Sequence, residues 1–119
     1  MSALRILVVD DDAMVGEMLS EMLAEMGYEV CAVAATEADA VTAAIRCRPD
    51  LMIVDAQLRG GSGVAAVEQI LRTMPIPHVF MSGAGIEASR PGAVVILKPF
   101  REVDLVRAIQ RALDAVAAS

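Results

Sequence analysis

The sequence predicts an α/β fold in which a doubly wound, five-stranded parallel sheet is covered by helices on both faces. Short apolar segments alternate along the chain with segments whose apolar residues recur at helical spacing, and this alternation is typical of such a sheet. Four of the five predicted strands are continuous apolar runs, as expected where both faces of a strand are buried. The length of 119 residues is that of one compact domain, so we expect a single domain over residues 1–119.

The first strand and the first helix are separated by an abrupt change of period. Residues 4–9 form an apolar run rich in β-branched residues, which is typical of a buried strand, and the aspartates at 10–12 end it. The apolar residues of 14–26 then recur at helical spacing, and Gly27 ends the helix. We expect Asp12 to be the N-cap of this helix, because it stands where an N-cap belongs.

A second strand and a second helix follow. Residues 28–34 have the pattern of a strand. Thr36 and Asp39 form a capping arrangement that opens a helix, and Pro49 lies beyond the end of that helix. The residues of this helix that we expect to face the core are Val41, Ala44 and Ile45.

The remaining strands and helices complete the alternation. The strands are residues 51–54, 79–81 and 93–97. The glycine-rich stretch 59–63 predicts a loop after the first of them. A helix follows this loop and ends near Pro75, and the last helix closes the chain. The residues expected to face the core are Val64, Val67, Ile70, Leu71 and Met74 in the first of these helices and Leu105, Ile109, Leu113 and Val116 in the second.

The segment between the fourth and fifth strands, residues 83–92, has weak helix-forming character. It has glycine at both ends and Pro91 near its close, and in a helix interior glycine costs about 1 kcal/mol and proline about 3 kcal/mol. Its one large apolar residue is Ile86, so packing can offset little of the entropy of ordering the segment. We therefore expect at most one or two helical turns here, in a shortened or mobile fourth helix.

The composition argues against several classes of function. The formal net charge is −6, whereas binding to nucleic acid needs a positive surface. No apolar run approaches the length of a membrane span, and the N-terminus lacks the layout of a signal peptide. Cys31 and Cys47 lie in apolar surroundings without a CxxC motif, and we expect two reduced core thiols. We therefore expect a cytoplasmic protein that binds neither nucleic acid nor membrane.

Polar side chains follow four of the predicted strands where each strand ends. They are Asp10 and Asp11, then Asp55, Ser82 and Lys98. Because the carboxyl ends of parallel strands meet at one edge of the sheet, we expect these side chains to share one crevice. Clustered carboxylates repel one another unless a cation joins them, and Mg²⁺ suits a site with few protein carboxylates. Each residue alone could be a cap, a turn residue or a surface charge, but the coincidence of all five favours a site.

These residues stand in segments that resemble the receiver domain of two-component response regulators, the family of the chemotaxis protein CheY. The resemblance covers the whole chain and is carried by residues 6–11, 50–55, 82–83 and 98–100. It implies the flavodoxin-like strand order 2-1-3-4-5. It further implies a phosphoacceptor at Asp55, a switch hydroxyl at Ser82, a phosphoryl-binding ammonium at Lys98, a cis bond between Lys98 and Pro99, and Mg²⁺ held by Asp10, Asp11, Asp55 and the backbone carbonyl of Gln57.

The resemblance also implies the partners of the chain. A sensor histidine kinase or a histidine phosphotransfer protein would supply the phosphoryl group, and an unknown downstream protein would read the result. The chain would be no enzyme, apart from catalysing its own phosphorylation and dephosphorylation. If 119 residues is the native length, we expect no output domain and an output by protein contact, in which a partner docks onto the domain or the phosphoryl group passes along a relay.

The sequence departs from the family at several positions. Arg59 stands where the family often has proline, Gly83 where it usually has alanine, and Val95 where it commonly has an aromatic residue. The stretch 82–98 is also several residues shorter than in typical receivers. The position of Val95 excludes a switch by ring reorientation there.

Two other functions fit parts of the sequence. The aspartates at 10–12 formally satisfy the DxD pattern of haloacid dehalogenase-type phosphohydrolases, which act through an aspartyl phosphate. The threonine and the cap insertion of that family are missing. A phosphate-independent interaction module with an inactive site is the other alternative, and the intact set of site residues argues against it.

Overall fold

The structure is a computed structural model that describes residues 3–83 and 93–117. Nearly all of the predicted weak helix, and the side chain of Val116, therefore lie outside the described residues. The elements in chain order are β1 (Arg5–Val9), α1 (Ala13–Glu25), β2 (Glu29–Ala34), α2 (Glu37–Cys47), β3 (Leu51–Asp55), β4 (Gln57–Leu58), β5 (Gly61–Ser62), α3 (Gly63–Leu71), β6 (His78–Ser82), β7 (Val95–Leu97) and α4 (Glu102–Ala117). No helix in the described part of the chain is long and apolar enough to span a membrane.

Five of the strands form one parallel sheet in the order β2-β1-β3-β6-β7. This is the predicted order 2-1-3-4-5, because β4 and β5 form a separate antiparallel pair. The central strand β3 is buried along its whole length, and its register pairs Val54 with Val9 on one side and with Phe80 on the other. The α/β prediction is therefore confirmed.

Side chains of alternate strand residues enter two separate apolar clusters, one on each face of the sheet. On β1, Ile6 and Val8 pack with residues of α1 and α4, whereas Leu7 and Val9 pack with residues of α2 and α3. The helix residues that complete the first cluster include Leu19, Leu23, Leu105 and Ile109, and those of the second include Ala40, Ala44, Val67 and Ile70. The sheet is thus covered on both faces, as the continuous apolar strands predicted.

The helix starts agree with the predicted caps. The Asp12 carboxylate accepts a hydrogen bond from the amide of Met14 at 2.9 Å, and the Thr36 hydroxyl accepts one from the amide of Asp39 at 3.0 Å. Beyond α1, Gly27 has φ +89°, a conformation that few other residues adopt without strain. The Asp12 cap starts α1 directly after Asp10 and Asp11, the two residues that follow β1.

The structure corrects two predictions, one about which residue of α2 faces the core and one about a loop. Ile45, expected to face the core, is 59% exposed. The small residues Ala40 and Ala44 form the buried stripe of α2. Ile45 follows Ala44 directly and therefore points away from that stripe. The stretch 59–63, expected to be a loop, contains β5 and the turn of the β4–β5 hairpin, where Gly60 has φ +70°.

The two cysteines are free thiols and only half-buried, rather than full members of the core. The Cys47 thiol donates to the backbone carbonyl of Cys31 over 3.6 Å. Burial, with a further contribution from Cys47, raises the pKa of the Cys31 thiol to about 11. Cys31 is therefore protonated at neutral pH.

Gly63, the first residue of α3, makes the closest backbone approach next to Asp55. Its amide donates to the carbonyl of Ala56 at 2.9 Å. A Cβ atom at position 63 would lie 1.9 Å from the backbone carbonyl oxygen of Asp55 and 2.8 Å from a methyl group of Val54. Glycine at this position therefore lets the start of α3 pack directly against the end of the central strand.

We expect Gly63→Ala to lower the free energy of unfolding by about 3 kcal/mol or more, because the added methyl group meets rigid backbone. Gly83→Ala is the matched control, since a Cβ atom there meets no atom of the described residues within 4 Å and the substitution should cost little. Urea unfolding of both variants measures the difference. Similar unfolding midpoints for the two variants would contradict the packing described for α3.

Candidate metal centre

Four strands deliver polar side chains to one edge of the sheet. Asp10 follows β1 directly, Asp55 is the last residue of β3, Ser82 is the last residue of β6, and Lys98 follows β7 directly. The register of the parallel strands brings these four ends together. The crevice predicted from the sequence is therefore present, and it is built from the expected strand ends.

Lys98 lies between two of the carboxylates. Its Nζ atom is 3.2 Å from Oδ2 of Asp10 and 3.0 Å from Oδ2 of Asp55. The Asp10 side chain is fully buried, the Asp55 side chain is 12% exposed and the Lys98 side chain is 26% exposed. Lys98 is also the single lysine of the chain, whose other nine basic residues are arginines. One ammonium thus bridges two largely buried carboxylates.

Asp10, Asp11 and Asp55 form an acidic cluster in which one oxygen from each lies within 4.8 Å of the others. Among residues 3–83 and 93–117 no other group of three candidate ligands is this close. Hard oxygen ligands of this kind suit Mg²⁺. One ammonium compensates only one of the three negative charges, so the residues present fit a divalent cation.

Backbone amides hold one oxygen of each carboxylate in this cluster. The amide of Asp12 donates to Oδ1 of Asp10 at 2.8 Å, and the amide of Gln57 donates to Oδ1 of Asp55 at 3.1 Å. For Asp11 the donor is the amide of Arg59, which lies 2.8 Å from Oδ2. Since the amides fix one oxygen on every carboxylate, the orientation of the cluster is set by the chain itself.

The same contacts shift the pKa values of two groups. Burial raises the pKa of Asp10, although the amide of Asp12 and the ammonium of Lys98 partly oppose it. Burial lowers the pKa of Lys98, but its hydrogen bonds to Asp55 and Asp10 outweigh this effect, so that the pKa lies above its ordinary value. Lys98 is therefore charged at neutral pH and acts as the local counter-ion.

The other predicted site residues lie around this cluster. Ser82 is 6% exposed, and its carbonyl accepts the amide of Lys98 at 2.7 Å. Gln57 lies on β4, two residues after Asp55 at the end of β3. The Lys98–Pro99 bond is cis, as the resemblance implied. Asp12 is the helix cap, as predicted, and lies outside the acidic cluster.

Two residues near the site were not predicted to contribute to it. Arg59 was noted only as a departure, yet its amide binds Asp11 and its guanidinium lies 3.8 Å from the same carboxylate. The signal was available, because a proline at this position would have no N–H group to donate. Glu37 accepts a hydrogen bond from the amide of Ser62, and nothing in the local sequence indicated that contact.

Known proteins resemble the chain in sequence and in structure. The family model for the response regulator receiver domain matches residues 6–110. The transcriptional regulatory protein PdtaR of Mycobacterium tuberculosis is 31% identical over 116 residues, which cover 92% of this chain and 57% of that protein. The chemotaxis protein CheY of Thermotoga maritima is 30% identical over 114 residues, 90% of this chain and 95% of that protein. The chain thus spans about half the length of PdtaR and nearly all of CheY.

A solved structure of a receiver domain is also similar to the chain. The solution structure of the receiver domain of the PhyR response regulator from Erythrobacter litoralis superimposes with a TM-score of 0.85 at 29% identity. The match covers 95% of this chain and 92% of that one.

We expect Lys98→Met to destabilise the metal-free protein near neutral pH by about 2 kcal/mol, because Asp10 and Asp55 then face each other without a cation. Mg²⁺ should raise the melting temperature of this variant more than that of the wild type. Arg101→Met is the control, since its guanidinium pairs on the surface with Asp104 at 3.5 Å and should contribute less than about 0.5 kcal/mol. Equal stability of the two variants would contradict the bridging role of Lys98.

Proposed function

Because the chain belongs to the response regulator receiver domain family, a family of two-component signalling regulators, we propose that Asp55 accepts a phosphoryl group from a sensor histidine kinase or a histidine phosphotransfer protein. The observation that carries the proposal is the position of Asp55. It ends the central strand, contributes to the acidic cluster and lies 3.0 Å from the ammonium of Lys98.

Asp55 is better suited to accept a phosphoryl group than its acidic neighbours. The Asp10 side chain is fully buried, whereas the Asp55 side chain is partly exposed. Asp11 lies at the rim, where its carboxylate holds the amide of Arg59 and is 3.8 Å from the exposed guanidinium of the same residue. Asp55 combines a partly exposed carboxylate with the closer ammonium of Lys98 at 3.0 Å. This favours Asp55 as the nucleophile and the other two as metal ligands.

The transfer requires one bond to form and one to break. A carboxylate oxygen of Asp55 attacks the phosphorus of a phosphohistidine, the P–N bond breaks, and the donor imidazole leaves with the electron pair. The amide of Gln57 holds Oδ1 of Asp55 and so fixes the plane of the nucleophile. The ammonium of Lys98 is placed to neutralise charge on the phosphoryl oxygens, since phosphoryl transfer depends mainly on positioning and charge stabilisation.

The residues that would hold Mg²⁺ are the clustered Asp10, Asp11 and Asp55, to which the family resemblance adds the backbone carbonyl of Gln57. A bound magnesium ion supplies positive charge to the phosphoryl oxygens during transfer. Asp10 and Asp11 are held in place for this task by the amides of Asp12 and Arg59. The chain therefore pre-orients its carboxylates rather than relying on the ion to gather them.

The change caused by phosphorylation would be transmitted to the protein surface through β6 and β7. Ser82 ends β6 beside Lys98, and we assign its hydroxyl to a phosphoryl oxygen. Movement of Ser82 would then displace the chain that follows β6, where a downstream protein could sense it. Val95 on β7 is half-buried and carries no ring, so the signal cannot use ring reorientation at that position.

The phosphohydrolase alternative is less well supported. Its nucleophile would be Asp10, the first aspartate after β1, but the Asp10 side chain is fully buried and bonded to Lys98. A carboxylate whose side chain has no exposed surface is poorly placed to attack a separate substrate. The arrangement favours a regulator that is itself modified.

We expect Asp55→Asn to abolish phosphorylation by acetyl phosphate and Mg²⁺ while leaving the fold intact, because the amide is a poor nucleophile. Asp50→Asn is the matched control: Asp50 precedes β3 at the opposite end of the sheet, where its carboxylate accepts the amide of Arg5. Intact-protein mass spectrometry should show one added phosphoryl group on wild type and on Asp50→Asn, and none on Asp55→Asn. Modification of the Asp55 variant at any unrelated residue would argue against the assignment.

We expect Asp11→Ala to lose most Mg²⁺ binding with little change in melting temperature. The substitution removes a ligand and the hydrogen bond from Arg59, but it also relieves repulsion within the acidic cluster. Calorimetric titration with Mg²⁺ and thermal unfolding measure the two effects separately. A large loss of stability with unchanged Mg²⁺ affinity would mean that Asp11 serves the fold and not the metal.

A further inference from the structure

The β4–β5 hairpin is attached to the rest of the molecule by three carboxylates. Each accepts a hydrogen bond from a different backbone amide of the hairpin. The pairs are the amide of Gln57 with Oδ1 of Asp55 at 3.1 Å, the amide of Arg59 with Oδ2 of Asp11 at 2.8 Å, and the amide of Ser62 with Oε1 of Glu37 at 3.0 Å. Two of these carboxylates belong to the acidic cluster, and the third does not.

Glu37 therefore differs from the other two attachments. It is the first residue of α2, and it contacts the hairpin without being part of the acidic cluster. A cation bound to Asp11 and Asp55 would alter the charge of the two carboxylates that hold Arg59 and Gln57. It would leave the contact between Glu37 and Ser62 unchanged.

We propose that Glu37 is a positioning residue, which holds the hairpin so that the backbone carbonyl of Gln57 reaches the magnesium ion. The inference rests on the proposed role of Gln57 as a metal ligand. It adds a residue that touches neither metal nor phosphoryl group and that acts through the hairpin backbone.

The hairpin register gives the route from Glu37 to Gln57. Ser62, which donates to Glu37, is the residue directly opposite Gln57 in the antiparallel pair. A displacement of Ser62 therefore moves Gln57 with it. The Ser62 hydroxyl also caps α3 by accepting the amide of Ala65 at 3.2 Å, so the same contact locates the start of that helix.

Close packing restricts the hairpin further. A Cβ atom at position 61 would lie 3.0 Å from Oε1 of Glu37 and 3.2 Å from its Cβ atom. Gly61 thus lets the hairpin backbone lie directly against the Glu37 side chain. The hairpin and the Glu37 side chain are in close van der Waals contact, so the hairpin has little space to shift toward α2.

The test compares Glu37→Ala, Glu37→Gln and the control Asp39→Ala in the full chain. Asp39 lies in the same first turn of α2 and is exposed, so its substitution removes an equal charge without touching the hairpin. Because residues that orient metal ligands typically matter by 10- to 100-fold in affinity, we expect Glu37→Ala to weaken Mg²⁺ binding about tenfold. Glu37→Gln keeps an oxygen acceptor and should recover most of this loss, whereas Asp39→Ala should bind Mg²⁺ like the wild type.

A second measurement needs no metal. Hydrogen exchange of the metal-free protein should be faster over residues 57–62 in Glu37→Ala than in Asp39→Ala, with the strands of the sheet equally protected in both. Wild-type Mg²⁺ affinity in Glu37→Ala would overturn the positioning role. Equal weakening by Glu37→Ala, Glu37→Gln and Asp39→Ala would also overturn it, because charge alone would then account for the effect.

The proposed metal site is tested separately by wild type and Asp11→Ala. If the wild type binds Mg²⁺ and Asp11→Ala does not, the metal site stands, and the Glu37 variants decide the positioning role by themselves. If the wild type does not bind Mg²⁺, both the site and the positioning role are wrong.

Discussion

The ion pairs that Lys98 forms with Asp10 and Asp55 are the contacts on which the rest of this site depends. Two carboxylates brought together at the buried end of a parallel sheet repel each other, and burial makes their charged forms costly. The ammonium offsets part of that cost at distances of 3.2 and 3.0 Å. Every other basic residue of the chain is an arginine, so the one compact cationic head is placed at the most crowded position.

The fold makes this crowding unavoidable. In a parallel sheet the carboxyl ends of β1, β3, β6 and β7 all lie at one edge, so any polar residue there is close to the others. The hairpin and the start of α3 then close over the end of β3. Gly63 permits that closure, because any side chain would collide with the Asp55 carbonyl. The geometry of Asp55, the proposed nucleophile, is thus set jointly by strand register and by one close backbone approach.

The sequence was sufficient to predict the sheet and the positions of Asp10, Asp55, Ser82 and Lys98. Those predictions depend on local period and on strand ends, which are properties of short segments, whereas the strand order came from the resemblance to the receiver family. Ile45 was placed wrongly because helical spacing alone does not say which of two adjacent apolar residues faces the sheet. The contacts of Glu37 and Arg59 join residues 25 and 48 positions apart, and no local pattern encodes such pairings. The sequence therefore predicted the residues of the site but not the contacts of Glu37 and Arg59 that hold them in position.

The balance of charge explains why that support matters. Three carboxylates and one ammonium leave the site with a formal charge of −2, which one divalent cation would neutralise. The proposed phosphorylation would replace the single charge of Asp55 by a group carrying close to two, so the modified site would again be negative. The excess has to be met by neutral donors and by cations at the rim. The amides of Gln57 and Arg59 and the guanidinium of Arg59 are donors of this kind, and they belong to the hairpin or its turn. Together with Ser82 at the end of β6, the hairpin is therefore an element whose position would respond to the charge on Asp55, and its attachment to Glu37 limits how far it can move.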